Sequence, residues 1–355
     1  MKLKYLLLLL LISSCVIIGS CAPTIKNFDK YEKQFLTKSS LMPSKENIEG
    51  KPPKIVVFAL DENSNQVATQ AGLGNAIANN VENIVAQNRL GELVDRNASE
   101  KLKKEIALSE MNKTGSYKGP KVADFAISGT ISNSGFTSKY SAGSVFYSPR
   151  TGLITIPPSY NYSSDVSGNL KIYELPSLTV VDAIEFSGRK SRTESVKQDG
   201  GMAIGAIQIG GNKVTGSNRD DNLVRRAGED AIDNIKIAIK NFFAKKGYIL
   251  EKRVFDGKTI FKISIGSLDG IKHGDKFEVT SQYEVENAIT NESEVETRVI
   301  GNGTVADKIE PKVSWVVIDD EKQIEKIRLG DSVKIKYKKG SFDNVWKMTK
   351  SIAEQ

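Results

Sequence analysis

Few residues in this chain have side chains suited to covalent or metal chemistry, and their positions restrict what they could do. The 355 residues include two cysteines, Cys15 and Cys21, and one histidine, His273. Cys21 closes the small-residue stretch Ile18-Gly-Ser-Cys21. Before it runs a nearly unbroken apolar segment from Tyr5 to Ile18, itself preceded by the basic start Met1-Lys-Leu-Lys4. That layout is a bacterial lipoprotein signal, in which the thiol accepts the acyl chain and the peptide is cut just before it. The apolar run is short for a membrane-spanning helix, and small residues interrupt it. The mature chain is therefore expected to begin at Cys21, after a signal over 1–20. Its acyl chains would anchor it, each buried CH2 contributing about 0.8 kcal/mol. Ile12-Ser-Ser-Cys15 is a second lipobox-like site, but acylation there would leave Val16-Ile-Ile18 exposed to no purpose. An ordinary secretory signal with incidental cysteines is the remaining reading. Alanine rather than aspartate follows Cys21, which in bacteria with two membranes favours sorting to the outer one.

With both cysteines in the signal region, the mature chain has no further thiol for a disulfide or a metal site. A lone histidine excludes a His-rich metal cluster, and a Ser-His-Asp arrangement would have to use His273. That residue lies in Gly270-Ile-Lys-His-Gly-Asp275, which reads as a tight exposed turn between strands. Two glycine-rich segments fail as nucleotide loops. Gly205-Ala-Ile-Gln-Ile-Gly210 is followed by Gly211-Asn-Lys213, which displaces the lysine and supplies no Ser or Thr after it. Gly72-Leu-Gly74 lacks the third glycine, its place being held by Ile77. No catalytic constellation emerges, no metal ligand set and no cofactor site, and the expectation is a protein that is not an enzyme.

The charge balance is +7, or +5 once Lys2 and Lys4 leave with the signal, and Lys and Glu are interspersed along the helices. The excess reads as a solvated surface. No basic segment is interleaved with aromatics, so no nucleic-acid partner is expected. Hydrophobic content of 39% with 26% charge is that of a soluble globular body, and about 330 mature residues suffice for one or two cores.

Residues 21–53 are polar, carry Pro23, Pro43, Pro52 and Pro53, and read as a flexible tether. Order is expected from Lys54. Ile55-Val-Val-Phe-Ala-Leu60 has the run of a buried strand. Leu73, Ile77, Val81, Ile84 and Val85 keep helical spacing, and Leu93-Val94 fits a very short strand. Asn97 with Glu100 gives a capping box for a second helix carrying Leu102, Ile106 and Met111. Strands follow over 122–132, 166–175 and 178–188, the last two joined by the turn Glu174-Leu-Pro-Ser177. A third helix is expected from Asp221 to Lys246, with a stripe of Leu223, Ala227, Ala231, Ile235, Ile239 and Phe242. The fold class expected is α+β: a mixed sheet with packed helices in β-α-β-α-β-β-β-α order over 54–248, carrying two hairpin-like inserts, followed by a small all-β domain, a barrel or sandwich, over 249–340 and a tail over 341–355. Within that last domain Ile271-Lys-His-Gly-Asp275 and Ile327-Arg-Leu-Gly-Asp331 form a weak repeat, glycine supplying the turn and aspartate capping it.

Two inserts, 133–165 and 188–220, are long for loops in a compact domain. The first places Tyr140, Phe146, Tyr147, Tyr160 and Tyr162 around Gly152-Leu-Ile-Thr-Ile156. Aromatics flanking a modestly apolar hairpin suit a contribution to a membrane β-barrel. The second holds one strand's worth of apolar residues from Met202 to Ile209, beside the charged run Arg189 to Lys197. Consecutive Arg189 and Lys190 would put one charge on each face of a strand. A pair of soluble loops is the other reading of both inserts.

Over residues 54–245 the chain resembles the curli-production secretion lipoproteins of the CsgG family. The resemblance rests on Ile55-Val-Val-Phe58, on Leu93-Val-Asp-Arg96 with the helix to Glu110, on Ala123-Asp-Phe-Ala-Ile-Ser-Gly129, and on Ser167-Gly-Asn-Leu-Lys-Ile-Tyr173. It implies an outer-membrane ring of identical subunits, anchored through the acyl chains of Cys21, with the main body periplasmic and hairpins from the two inserts pooled into one barrel that exports unfolded proteins. Relatives of the same fold serve in holdfast anchoring, as flagellar outer-membrane ring parts or as activators of wall synthesis. The link from Asp61 to Ala71 is short and lacks the aromatics of the channel's gate loop, and the domain after Phe255 is foreign to the channel. Two functions are therefore expected as rivals: an oligomeric secretion or assembly component, and a periplasmic accessory lipoprotein that docks a surface machine without spanning the membrane.

Overall fold

The computed structural model describes residues 22–94, 123–195, 203–204, 207–208, 220–286 and 292–338. The expected signal with Cys15 and Cys21, the helix expected after Asn97 and the tail after Gly340 lie outside them. The chain divides into two compact units: one takes residues up to 51 together with 241–338, and the other takes 52–240. Two short elements come first, β1 (Glu32–Gln34) and α1 (Lys45–Glu49), both in the former unit.

The unit over 52–240 contains β2 (Lys54–Val57), α2 (Gln66–Ala71), α3 (Leu73–Gln87), β3 (Glu92–Leu93), β4 (Phe125–Ser141), β5 (Ser144–Ser148), β6 (Gly152–Ile156), β7 (Ser159–Glu174) and β8 (Thr179–Ser195). After these come the two-residue pair β9 (Ala203–Ile204) and β10 (Ile207–Gln208), then α4 (Asp221–Phe242). Five strands form one sheet in the order β3-β2-β4-β7-β8. The β2 pairings are parallel and those among β4, β7 and β8 are antiparallel. β2 is apolar on both sides because both are covered: Val56 and Phe58 pack with Ala126 and Leu175, while Ile55 and Val57 are buried on the other side. Asp220 starts α4, its Oδ1 accepting the N–H groups of Asn222 and Leu223 at 3.0 and 3.2 Å. Leu223, Ala227, Ala231, Ile235 and Ile239 form its buried stripe. Gly188 of β8 lies directly against that helix: a Cβ there would sit 2.4 Å from Ala227 O and 2.3 Å from Ala231 N.

The other unit is a closed barrel. β11 (Lys246–Phe255), β12 (Lys258–Ile263), β13 (Lys276–Glu286), β14 (Ser293–Ile309), β15 (Ser314–Ile318) and β16 (Ser332–Lys336) pair in the order β11-β12-β15-β14-β13-β16, and a β11–β16 ladder completes the circle. A short helix, α5 (Glu321–Ile324), precedes β16. Ile249, Phe261, Ile263, Phe277, Val279, Val305, Val316, Val333 and Ile335 fill the interior.

Two turns related by the sequence repeat build this closure. Gly274 and Gly330 both hold φ near +88°, a region open to glycine at little cost. Asp275 Oδ2 accepts the Lys272 N–H at 2.8 Å, and Asp331 Oδ2 accepts that of Arg328 at 2.6 Å. The first turn exchanges backbone hydrogen bonds with Val305 of β14, and the second does the same with Ile249 of β11. Each half of the barrel thus clamps the opening strand of the other half.

These findings correct the expected α+β class. Among the described residues strand makes up 49% and helix 22%, and the C-terminal part is a closed six-stranded antiparallel barrel rather than a small appended domain. Two physical reasons account for the difference. The inserts continue the sheet strands, so β4, β7 and β8 reach 17, 16 and 17 residues. α4 ends at Phe242, so Lys246 opens β11 where a helix was expected to end. The expected tether over 21–53 differs as well: from Ala22 onward the described segment belongs to the barrel unit, and β1 pairs with Lys252, Arg253 and Val254 of β11.

Candidate functional site: an open-edged ribbon with an apolar tip

Beyond Thr130 the sheet narrows to β4, β7 and β8. β2 pairs only with Phe125, Ala126 and Ile127 of β4, with one further bridge from Asp61 to Thr130. The three long strands stay paired to Ser141, Ser159 and Ser195. At about 3.4 Å per residue, each strand of 16 or 17 residues runs about 55 Å. Among the described residues no strand pairs with the outer edge of β4 beyond Thr130 or with the outer edge of β8. Open edges of this kind are templates for pairing with another chain.

Strand alternation gives the ribbon two unlike faces. Asn133, Thr137 and Lys139 of β4, Asn161, Ser163, Asp165 and Ser167 of β7, and Ser187, Arg189, Ser191 and Thr193 of β8 share one of them by register. This face is polar and cross-linked. Asn133 Nδ2 donates to Asp165 Oδ2 at 3.0 Å, Arg189 Nε to Ser163 Oγ at 3.1 Å, and Thr193 Oγ1 to Asn161 Oδ1 at 2.8 Å. The opposite face carries a row of rings. Phe136 and Tyr162 have centroids 6.1 Å apart, as do Tyr162 and Tyr160, and Tyr160 and Tyr140 follow at 5.2 Å. From Tyr162 outward exposure rises, from 2% there to 53% at Tyr140.

The consecutive charges Arg189 and Lys190 do take opposite faces. Lys190 Nζ approaches Asp230 of α4 at 3.8 Å, and Arg192 lies over the Tyr162 ring at 5.3 Å while reaching Asp220 at 3.2 Å. Both cations therefore fasten the ribbon's root to α4. The clefts beside them are lined mostly by polar and charged residues, among them Arg192, Asp220 and Arg226 in one and Asp165, Arg189 and Asp230 in the other.

At the far end β5 and β6 form a separate hairpin, with Ser144 opposite Ile156 and Ser148 opposite Gly152. Ala142-Gly143 and Pro157-Pro158 separate it from the ribbon, and Pro cannot donate to a ladder. Both faces of this tip are mainly apolar, with Thr155 on one and Ser144 and Ser148 on the other. Val145, Tyr147 and Leu153 share one side, and Phe146, Ile154 and Ile156 share the other. Tyr147 and Leu153 are 72% and 71% exposed. A two-sided apolar hairpin this open is a membrane or protein contact in waiting.

The other residues singled out in the sequence take structural places. His273 is exposed, with Nε2 3.1 Å from Pro23 O. Gly72 is the left-handed cap between α2 and α3, and the Gly74 N–H is held by Glu62 Oε1 at 2.8 Å. Of the Met202–Ile209 segment only the β9–β10 pair lies within the described residues. Among the described residues no three His, Cys, Asp or Glu side chains gather as a metal site, and no helix is long and apolar enough to cross a membrane. The hairpin reading of the inserts does not include their unbroken continuation from the sheet strands, into 133–141 and 159–165 of the first insert and 188–195 of the second. The signal of that continuation was the alternation of Tyr160, Tyr162, Ser164 and Val166 with Asn161, Ser163 and Asp165, in step with β7 below. No protein-family model matches the chain, and no curated protein matches it significantly.

Proposed function

We propose that this chain is a non-enzymatic, lipid-anchored outer-membrane protein that assembles with further copies of itself as a secretion or assembly component of the cell envelope. The observation that carries this reading is the ribbon, whose outer edges have no strand partner among the described residues, together with its largely apolar tip. Edges ask for strand partners, and a two-faced apolar tip asks for lipid or neighbouring tips. The lipobox at Cys21 and the resemblance to the CsgG family support the same reading.

A second reading, a periplasmic accessory lipoprotein that forms no pore, is favoured by one measurement. Each tip strand has five residues, about 17 Å, whereas a membrane-crossing strand needs roughly 9–11 residues. Below the tip, one face of the ribbon is entirely polar. The two readings separate on detergent-extracted protein, imaged and then tested for conductance in planar bilayers, wild type against a deletion of 143–157. Rings that conduct, and that stop conducting without the tip, support the pore. Assemblies that never conduct support the accessory. A monomer with or without the tip overturns the assembly reading altogether.

A further inference from the structure

The segment directly after the acylation site is bound to the barrel along its length. Pro23 O accepts a hydrogen bond from His273 Nε2 at 3.1 Å. The Ile25 N–H donates to Asp307 Oδ1 at 2.8 Å, and the Ile25 side chain is buried with Tyr31, Ile260, Ala306 and Trp315. Phe28 meets Trp315 edge-on at 5.1 Å, with the Arg253 guanidinium over both rings at 5.4 and 4.7 Å. Tyr31 packs on Phe255 at 5.6 Å, and β1 then extends the β11 ladder. Ala22 already lies against the 271–275 turn, its methyl 3.3 Å from where a Cβ on Gly274 would be.

From this we infer that the barrel face around the 271–275 turn is seated on phospholipid headgroups, an inference that rests on acylation at Cys21. Consecutive Cα atoms are about 3.8 Å apart, so the bound segment leaves a single residue step between the anchor and the turn. A free tether of n residues would hold the barrel off by about 5–6 Å × √n; a bound strap removes that distance. Exposed lysines on both pieces suit an anionic surface, Lys272 in the turn and Lys26 in the strap next to Ile25. The sole histidine thus has a mechanical role, pinning the strap where it emerges from the lipid.

The test uses the full lipidated protein in phosphatidylethanolamine–phosphatidylglycerol vesicles. Because Cys21 is acylated, a cysteine introduced by Lys272→Cys offers the one reactive thiol for a nitroxide label. Glu286→Cys, at the other end of β13 and about 34 Å along the strand, serves as reference. Accessibility to oxygen against a water-soluble nickel chelate reports depth. The expected result is a label at 272 in the headgroup zone, with an oxygen-to-nickel ratio several-fold above that at 286. Releasing the strap by Ile25→Asp, or more gently by His273→Ala, should return the 272 label toward the aqueous value while the protein stays on the vesicles. A 272 label as water-exposed as 286 on a chain whose N-terminal peptide carries acyl mass overturns this inference alone. Absence of acyl mass at Cys21 overturns the lipoprotein reading, and the inference with it.

Discussion

Ser281 and Asp331, 50 residues apart in sequence, share a 2.6 Å hydrogen bond inside the barrel, the hydroxyl donating to Oδ1 while Oδ2 accepts the Arg328 N–H. Both side chains are fully buried. In the other half of the repeat the position matching Ser281 is Tyr337, and the matching aspartate is Asp275. Burial, and secondarily the Asp275 carboxylate, push the Tyr337 hydroxyl up to about 12. Each half therefore sets a polar side chain near the turn aspartate of the other half, Ser281 by a hydrogen bond and Tyr337 within electrostatic reach.

Asp331→Ala removes a buried acceptor from both the Ser281 hydroxyl and the Arg328 amide. A buried donor left without a partner costs about 1–3 kcal/mol. The expected loss is about 3 kcal/mol for the barrel, read as a lower midpoint in urea unfolding followed by Trp315 fluorescence. A variant within 0.5 kcal/mol of wild type, an order-of-magnitude margin for surface changes, would show that water replaces the carboxylate.

The raised Tyr337 value sets an alkaline limit. The folded state holds this proton more tightly than the unfolded chain, so the contribution is complete below the ordinary tyrosine value of 10.0 and is lost as pH rises through about 12. Lys334 acts in the opposite sense, its ammonium pushed down by burial and by nearby Lys246. Comparing wild type with Tyr337→Phe at pH 9 and pH 11 isolates the tyrosine. The wild type should lose more stability over that interval than the variant, and equal losses would contradict the linkage.

Gly188→Ala tests how the ribbon is rooted. The added methyl would meet Ala227 O at 2.4 Å and Ala231 N at 2.3 Å, both of them helix backbone that cannot turn aside. Overpacking of this kind costs about 1–3 kcal/mol. Hydrogen exchange should show faster opening of β8 and α4 in the variant, with barrel amides unchanged.

The tip can be altered without touching the folded core. Val145→Asp with Leu153→Asp falls on exposed side chains, so stability should change by less than about 0.5 kcal/mol. Flotation with liposomes, or recovery of the assembled species, should drop steeply. Unchanged assembly would remove the tip from the proposed function.

Cys21→Ala should release the protein from membranes into the soluble periplasmic fraction. Unchanged retention with an uncut N-terminus would point instead to a helical anchor.

What the sequence determined by itself was local. The apolar run Ile55–Leu60, the spacing from Leu73 to Val85, the stripe from Leu223 to Ile239 and the paired Gly-Asp turns each lie within a few residues, where backbone geometry and side-chain period act directly. The folded structure decided the rest. The alternation over 160–166 hints at a strand, but that 133–141 pairs with 159–167, and 159–167 in turn with 187–195, rests on contacts that local pattern does not encode. Closure of the barrel depends on β11 meeting β16 across more than 80 residues, from Lys246 to Lys334. The segment after Cys21 reads as a tether because Ile25, Phe28 and Tyr31 are too sparse to show a period. They become anchors only once Trp315, Phe255 and Ile260 have been brought together to receive them.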